Sequence, residues 1–252
     1  MKQIITTIIL LASINFSKEN RIDLIDFNQI PTVSTQSKII IGVIDINPIN
    51  WNSNRSLYKS AYQFETNPTS HFDKHGQAVI DQIIATVESQ NPNAYEKIEI
   101  AYCQIEESMI LTDCLNKMSQ IPNLSLLNIS VRVGPDLIDE EEIIALLFLS
   151  DKVKITVSAG NDAYRVEEVQ ALCMFNSPNI YCVGGISDEF PYSLSERSNY
   201  GKLVNAYAPF KGNVLLETKD GDSILFNGTS SSAPTFLAYI INKSIQDRFV
   251  KN

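Results

Sequence analysis

The sequence lacks the features that mark several large classes of protein. It has no run of basic residues, and its 20 Lys and Arg against 29 Asp and Glu leave a net charge of −9 and a pI near 4.8. Such a chain does not carry the electrostatic footprint that neutralises phosphates, so no nucleic-acid partner is expected. It has only 2 histidines, which restricts the metal sites that can be built. It shows no internal repeat, no low-complexity tract and no Pro-rich linker. Intrinsic disorder is excluded as well, because 44% of residues are hydrophobic and only 19% are charged. A chain of 252 residues buries enough surface to fold without a metal or disulfide staple, and a single main domain is expected.

The N-terminus reads separately. Lys2 precedes an apolar stretch, Ile4 to Ile14, interrupted only by Thr6, Thr7 and Ser13. This matches a secretory signal peptide over residues 1–17, too short to span a bilayer. A cut after Ser17 would put Asn15 where a second small residue is wanted, and the alternative is a buried N-terminal strand or helix. The signal reading predicts a secreted or periplasmic protein, without stable membrane insertion once the signal is removed, whose working domain is residues 18–252. An even count of 4 cysteines agrees with export to an oxidising compartment.

Strands and helices then alternate. Ser37 to Ile44 is a continuous apolar run of the kind buried on both faces, and Lys97 to Cys103, Leu124 to Val131 and Val153 to Ala159 repeat that character. Helical patterns lie between them over Gly76 to Ser89, Met109 to Ser119 and Glu140 to Leu149. The last of these has Glu140, Glu141 and Glu142 crowded where the helix dipole favours acids. Asn179 to Val183 and Leu203 to Tyr207 read as further strands, Asn213 to Phe226 as a hairpin about Asp220 and Gly221, and Ser231 to Val250 as a closing helix. The pattern predicts an α/β domain: a doubly wound, mostly parallel sheet with helices on both faces, plus a small β-hairpin.

In such folds the working residues sit where strands end and the next helices begin. Four residues meet that description: Asp45 in IIIGVIDIN, His75 in DKHGQAVIDQI, Asn161 in ITVSAGND and Ser230 in NGTSSSAP. Singly, each has an ordinary explanation as a turn residue, a surface histidine, a loop amide or a helix cap. Together and in this order, the segments resemble the subtilisin-like serine proteases, the subtilases. GVIDIN is similar to the segment with the catalytic aspartate, HGQAV to the histidine segment, and LNISV, residues 127–131, to the substrate-binding strand. TVSAGND is similar to the oxyanion segment, and NGTSSSAP, with Pro234, to the nucleophile motif. Smaller echoes, SPNIYCVGGIS, SNYG and AYAPF, follow in order. The order Asp, His, Ser is that of subtilisin itself.

The resemblance implies a serine endopeptidase. Its catalytic residues would be Asp45, His75 and Ser230, with Asn161 as oxyanion donor. Its substrate contacts would be Ser130, Val131 and Arg132 on one side and Ser158, Ala159 and Gly160 on the other. The chemistry asks for such groups in any case. A serine hydroxyl needs a base to take its proton, histidine titrates near neutrality, and a carboxylate fixes the imidazole tautomer. The implied partner is a polypeptide substrate, the implied state a monomer, and no cofactor is required. Structural calcium is common in the family, but the loop from Ser89 to Tyr95 is short and offers no legible ligand set.

The chain departs from the family at several points. Ile46 and Asn47 follow the aspartate where a small hydroxylated residue and glycine are common, which removes a usual hydrogen bond to the carboxylate. Gln77 and Ala78 follow His75-Gly76 where Thr-His is usual, and Arg132 stands where a glycine lets substrate backbone lie close. With a signal read over residues 1–17, the stretch left before Asp45 is expected to be too short for a folding prodomain. These departures keep a second reading open, a catalytically silent fold acting as a protein-binding module or toxin component with its groove obstructed near Arg132. A third reading is a metal-dependent hydrolase, since His71 and His75 are spaced i, i+4 around Asp73; Gly76 and the missing third histidine argue against zinc, and no metal is expected. Asp162 either borders the specificity pocket or is a solvated loop acid. The cysteines pair most simply as Cys103 with Cys114 and Cys173 with Cys182, one of three connectivities, with buried free thiols the alternative for the first pair.

Overall fold

The computed structural model describes residues 30–33, 38–46, 49, 58–64, 74–92, 94–105, 110–175, 177–188 and 192–250. The segment read as a signal peptide lies outside them, as do Asn47, His71 and Asp73.

Seven strands form one sheet: β1 (Ile39–Asp45), β2 (Tyr58–Phe64), β3 (Ile98–Gln104), β4 (Leu124–Ile129), β5 (Lys154–Ser158), β6 (Ile180–Ile186) and β7 (Ala206–Pro209). The spatial order is β2-β3-β1-β4-β5-β6-β7, and every neighbouring pair is parallel. Strand order therefore reverses about β1, and the carboxyl end of β1 opens on the crevice where open α/β sheets bind their ligands. The expected doubly wound sheet is present. β2 is an addition to it, at the edge beyond β3.

The apolar strands are continuous because each buries both faces. All seven residues of β1 are buried. Ile39, Ile41 and Val43 join one core layer with α1 (His75–Gln90) and α5 (Thr229–Val250), while Ile40 and Ile44 join the other. The second layer includes Leu111, Cys114, Leu115 and Met118 of α2 (Leu111–Ser119) and Leu146 and Leu149 of α3 (Glu140–Ser150). In α3, Asp139 forms the expected acid-rich N-terminus into a full capping box with Glu142, each side chain accepting the other's backbone N–H. α4 (Val166–Val169) is a single turn followed by a 3₁₀ turn, Ala171–Cys173. α5 is buried nearly all round, from Ala233 through Phe236, Leu237, Ile240 and Ile241 to Ile245, as a helix packed among sheet, α1 and hairpin must be.

The hairpin is β8 (Lys211–Glu217) paired antiparallel with β9 (Ser223–Asn227). Its turn is wider than a two-residue loop about Asp220-Gly221. The Thr218 N–H donates to the Asp222 carbonyl, the Gly221 N–H donates to the Thr218 carbonyl, and Gly221 has a φ of 87°. At the start of α5, Pro234 is the sixth residue of the helix, since α5 begins at Thr229. It thus stands beyond the first turn and withholds the N–H that Ser230's carbonyl would otherwise accept. The first turn is held instead by Gly228, whose carbonyl accepts from the Ser231 and Ser232 N–H groups.

Both cysteine pairs are disulfides, Cys103–Cys114 and Cys173–Cys182, with Cα separations of 5.7 and 5.2 Å. Each closes a short loop. Reducing either is expected to cost about 2 to 3 kcal/mol of stability, read as a shift in the urea midpoint of Cys103→Ala/Cys114→Ala and Cys173→Ala/Cys182→Ala. Mass spectrometry of non-reduced peptides should recover both linkages, and free thiols in the oxidised protein would contradict them.

Candidate active site

Asp45 is the last residue of β1 and is fully buried, 0% exposed. A carboxylate removed from water requires donors, and two are present. The backbone N–H of Ile46 donates to Oδ1 at 2.8 Å, and His75 Nδ1 lies 2.9 Å from Oδ1 and 3.0 Å from Oδ2. Ile46 thus supplies from its backbone a hydrogen bond to the carboxylate that its side chain cannot give. Because an ionised carboxylate only accepts, the proton sits on Nδ1, and in the neutral ring Nε2 is the basic nitrogen.

His75 opens α1, and its side chain is 21% exposed. Lys74, at the N-cap, makes no side-chain cap. It is fixed from outside: its N–H donates to the Glu217 carbonyl at 2.8 Å, and its ammonium pairs with the Glu217 carboxylate at 2.6 Å. Phe226 of β9 meets the His75 ring edge-on, with centroids 5.3 Å apart. The hairpin therefore fixes both the start of α1 and the plane of the imidazole.

Ser230 stands at the second position of α5, in a turn bound to the loop after β5. Thr229 is the link: its N–H and hydroxyl donate to Asn161 Oδ1 at 2.8 and 3.1 Å, and its Oγ1 accepts the Gly160 N–H at 2.9 Å. Binding the amide oxygen in this way fixes which end of the Asn161 side chain is left to donate, and that end is Nδ2. Gly228 has a φ of 106°, and a Cβ there would come within 2.9 Å of Asn161 Nδ2. Glycine is required on both counts. None of these bonds uses the Ser230 hydroxyl, and Ser230 is 9% exposed. The geometry thus joins Asp45 to His75 and Asn161 to the turn bearing Ser230, with Phe226 spanning from the approach to that turn to His75.

The expected substrate segments follow β4 and β5. Ser130 is buried, and its hydroxyl accepts from Asn128 Nδ2 at 2.9 Å, so this side chain serves the interior. Val131 and Ala159 are also buried, while Arg132 is exposed and pairs with Asp162 at 3.2 Å. Asp162 is therefore a partner of Arg132 across the two segments. Among the described residues no group of three or more His, Cys, Asp or Glu could hold a metal ion. His71, the other half of the spaced histidine pair, lies outside those residues.

Three residues that sequence reasoning assigned no such role hold the site together. Asn199, inside the SNYG echo, donates to the Ala159 carbonyl and accepts the N–H groups of Asp162 and Tyr164, bracing the loop that carries Asn161. Gln170 does the same for the segments after β4 and β5. Gln82, 1% exposed, donates to Thr86, Asn213 and Thr235 and accepts the Asn213 N–H, tying α1, β8 and α5 at one amide. No sequence periodicity distinguishes such an amide from a surface one.

No known family model matches the sequence, and no similar sequence is found among curated proteins. The structure does match solved structures. They include a cold-adapted subtilisin-like serine proteinase, with a TM-score of 0.58, 16% identity, and coverage of 88% of this chain and 84% of that one. The epidermin leader peptide processing serine protease EpiP from Staphylococcus aureus gives a TM-score of 0.58 at 17% identity, over 88% of this chain and 71% of that one. The nisin leader peptidase NisP from Lactococcus lactis gives a TM-score of 0.58 at 15% identity, over 86% of this chain and 80% of that one. The fold is the subtilisin-like fold, as the motifs predicted.

Gln82→Leu should cost about 2 to 4 kcal/mol, because it strands the buried hydroxyls of Thr86 and Thr235. Urea unfolding of the variant measures this. A change under about 0.5 kcal/mol would mean that those groups find other partners.

Proposed function

We propose that this subtilisin-like chain is a serine endopeptidase, with Asp45, His75 and Ser230 as its triad and Asn161 as oxyanion donor. The observation that carries the reading is the grip of a fully buried carboxylate on His75 Nδ1, at 2.9 and 3.0 Å, in a side chain that is itself 21% exposed. A surface histidine has no need of such a partner. A base that must gain and lose a proton at Nε2 does, since the carboxylate fixes the tautomer and stabilises the imidazolium.

In the reaction Ser230 Oγ attacks the scissile carbonyl carbon while its proton passes to His75 Nε2. The carbonyl π electrons move to the oxygen, which takes hydrogen bonds from Asn161 Nδ2 and the Ser230 N–H at the start of α5. Collapse breaks the C–N bond, His75 returns the proton to the leaving amine, and an acyl-serine remains. Water, deprotonated by the same base, then releases the acid. No cofactor enters. Subtilisin-like serine proteases among the matched structures favour a polypeptide substrate, and residues 130–132 and 158–160 are the segments proposed to receive it. Two disulfides support an oxidising, secreted or periplasmic setting, and no helix among the described residues is long and apolar enough to cross a membrane. A monomer suffices, since all four catalytic groups come from one chain.

A fluorophosphonate should label Ser230, and Ser230→Ala and His75→Ala should abolish labelling. Folded protein that stays unlabelled between about pH 6 and pH 9, a range that spans the ordinary histidine pKa, would overturn the peptidase reading. Asn161→Ala should lower turnover about 100-fold to 1000-fold while substrate binding changes little. Unchanged turnover would reduce Asn161 to a helix-capping residue.

A further inference from the structure

Gln104, the last residue of β3, stands opposite Asp45 in the parallel register of β1 and β3. The strands are still paired there, since the Ile105 N–H donates to the Asp45 carbonyl at 2.7 Å. Two residues earlier Val43 stands opposite Tyr102, and both belong to the core layer of α1 and α5. Side chains alternate along a strand, so Asp45 and Gln104 leave the sheet on that same face, from backbones about 5 Å apart. Gln104 is 4% exposed, and its Oε1 is buried without a hydrogen-bond partner among the described residues. The other amides at this end of the sheet are engaged, Asn128 with Ser130 and Thr156, Asn161 with Thr229, and Gln170 and Asn199 with backbone. An idle buried amide is costly and calls for an explanation. Beside it lies a carboxylate with acceptor capacity to spare. Asp45 receives the Ile46 N–H and His75 Nδ1, and Ile46 reaches Oδ1 alone, whereas an ionised carboxylate offers about four acceptor positions.

We propose that Gln104 is a positioning residue for the base: a half-turn about its Cγ–Cδ bond exchanges the two ends of the amide, and Nε2 then donates to Asp45 Oδ2. The proposal rests on the peptidase reading for the task of His75, while the hydrogen bond stands without it. Next to a group that only accepts, an amide gains by presenting its amino end. A carboxylate held by a third donor resists rotation about its Cβ–Cγ bond, and the imidazole bonded to it keeps its plane. The same bond draws charge from the carboxylate, which then holds the imidazolium less tightly. Gln104 thereby keeps His75 less basic than Asp45 alone would make it, as suits a base that must be unprotonated near neutral pH.

The test reads the imidazole directly, so it does not depend on turnover. The chain has only 2 histidines, and comparison with His75→Ala assigns the His75 resonances of the oxidised full chain. Their chemical shifts are followed by NMR from about pH 4 to about pH 9, across the ordinary histidine range. Gln104→Met, close in volume and without a donor, should raise the His75 midpoint by about half a unit, because the carboxylate recovers its full charge. Gln104→Glu should raise it by about one unit or more, because a second carboxylate then faces the imidazolium. The Lys74–Glu217 pair and the Phe226 ring, which stand around the start of α1, are the same in every sample. A midpoint that neither substitution moves, or that Gln104→Met lowers, overturns the proposal. If neither variant folds, the unsubstituted chain still decides: one Gln104 Nε2 proton should be protected from solvent exchange, and rapid exchange of both overturns the proposal. Fluorophosphonate labelling of the same samples separates the two readings, since an unlabelled Ser230 alongside the expected His75 midpoints would sink the peptidase reading and leave the hydrogen bond standing.

Discussion

The site depends on the Asp45 carboxylate having lost all contact with water at the end of the central strand. A bare buried carboxylate costs several kcal/mol, so its two donors are structural requirements as well as chemical ones. The first, the Ile46 N–H, comes with the chain. The second must be brought in by another element, and α1 brings it at its first residue, His75. This explains why structure converges on α1 from its start onward: the Glu217 contacts to Lys74, the Phe226 ring against the imidazole, and the Gln82 amide about two turns further along the same face. Each fixes where the histidine can be, and so which ring nitrogen is left to act.

The parallel sheet imposes a second constraint. Strands buried on both faces leave no surface for function except at their ends, and strand order reverses at β1. Past the ends of β4 and β5, backbone groups that have left the ladder still need partners. Asn199, Gln170 and Thr229 meet that need, each binding backbone across a gap with a short polar side chain. Their placement is why the loops at this end of the sheet can be irregular and yet rigid. The Asn161 amide depends on that rigidity, because its oxygen is oriented by a threonine on a different element.

Much of this was legible in the sequence, for a physical reason. Doubly buried strands must be apolar throughout, so β1, β3, β4 and β5 stand out without any alignment, and the turns that carry chemistry keep residue types that the chemistry demands. β2 was not legible: YKSAYQF has neither a continuous apolar run nor a clean alternation, and it is placed by its pairing to β3 at the edge. The hairpin was legible from Asp220 and Gly221, and both lie in its turn, between Glu217 and Ser223, with the glycine at positive φ. The closing helix was expected from Ser231, and it begins two residues earlier, at Thr229. The bracing amides were invisible because asparagine and glutamine reveal their partners only when the chain has folded around them.

The disulfides extend the same logic. Cys173 ends the 3₁₀ turn that begins one residue after Gln170, and its bond to Cys182 fastens that turn to β6, the strand beside β5. Gln170 spans the gap between the segments after β4 and β5 from a backbone anchored on the far side of β5. The Ala171 N–H anchors it on the near side as well, through the Val133 carbonyl at 2.8 Å. A side chain with rotatable bonds would be a poor spacer on a loose loop. Fixed at both ends, with the polar atoms of its side chain engaged, Gln170 ties the segment after β4 to the end of β5.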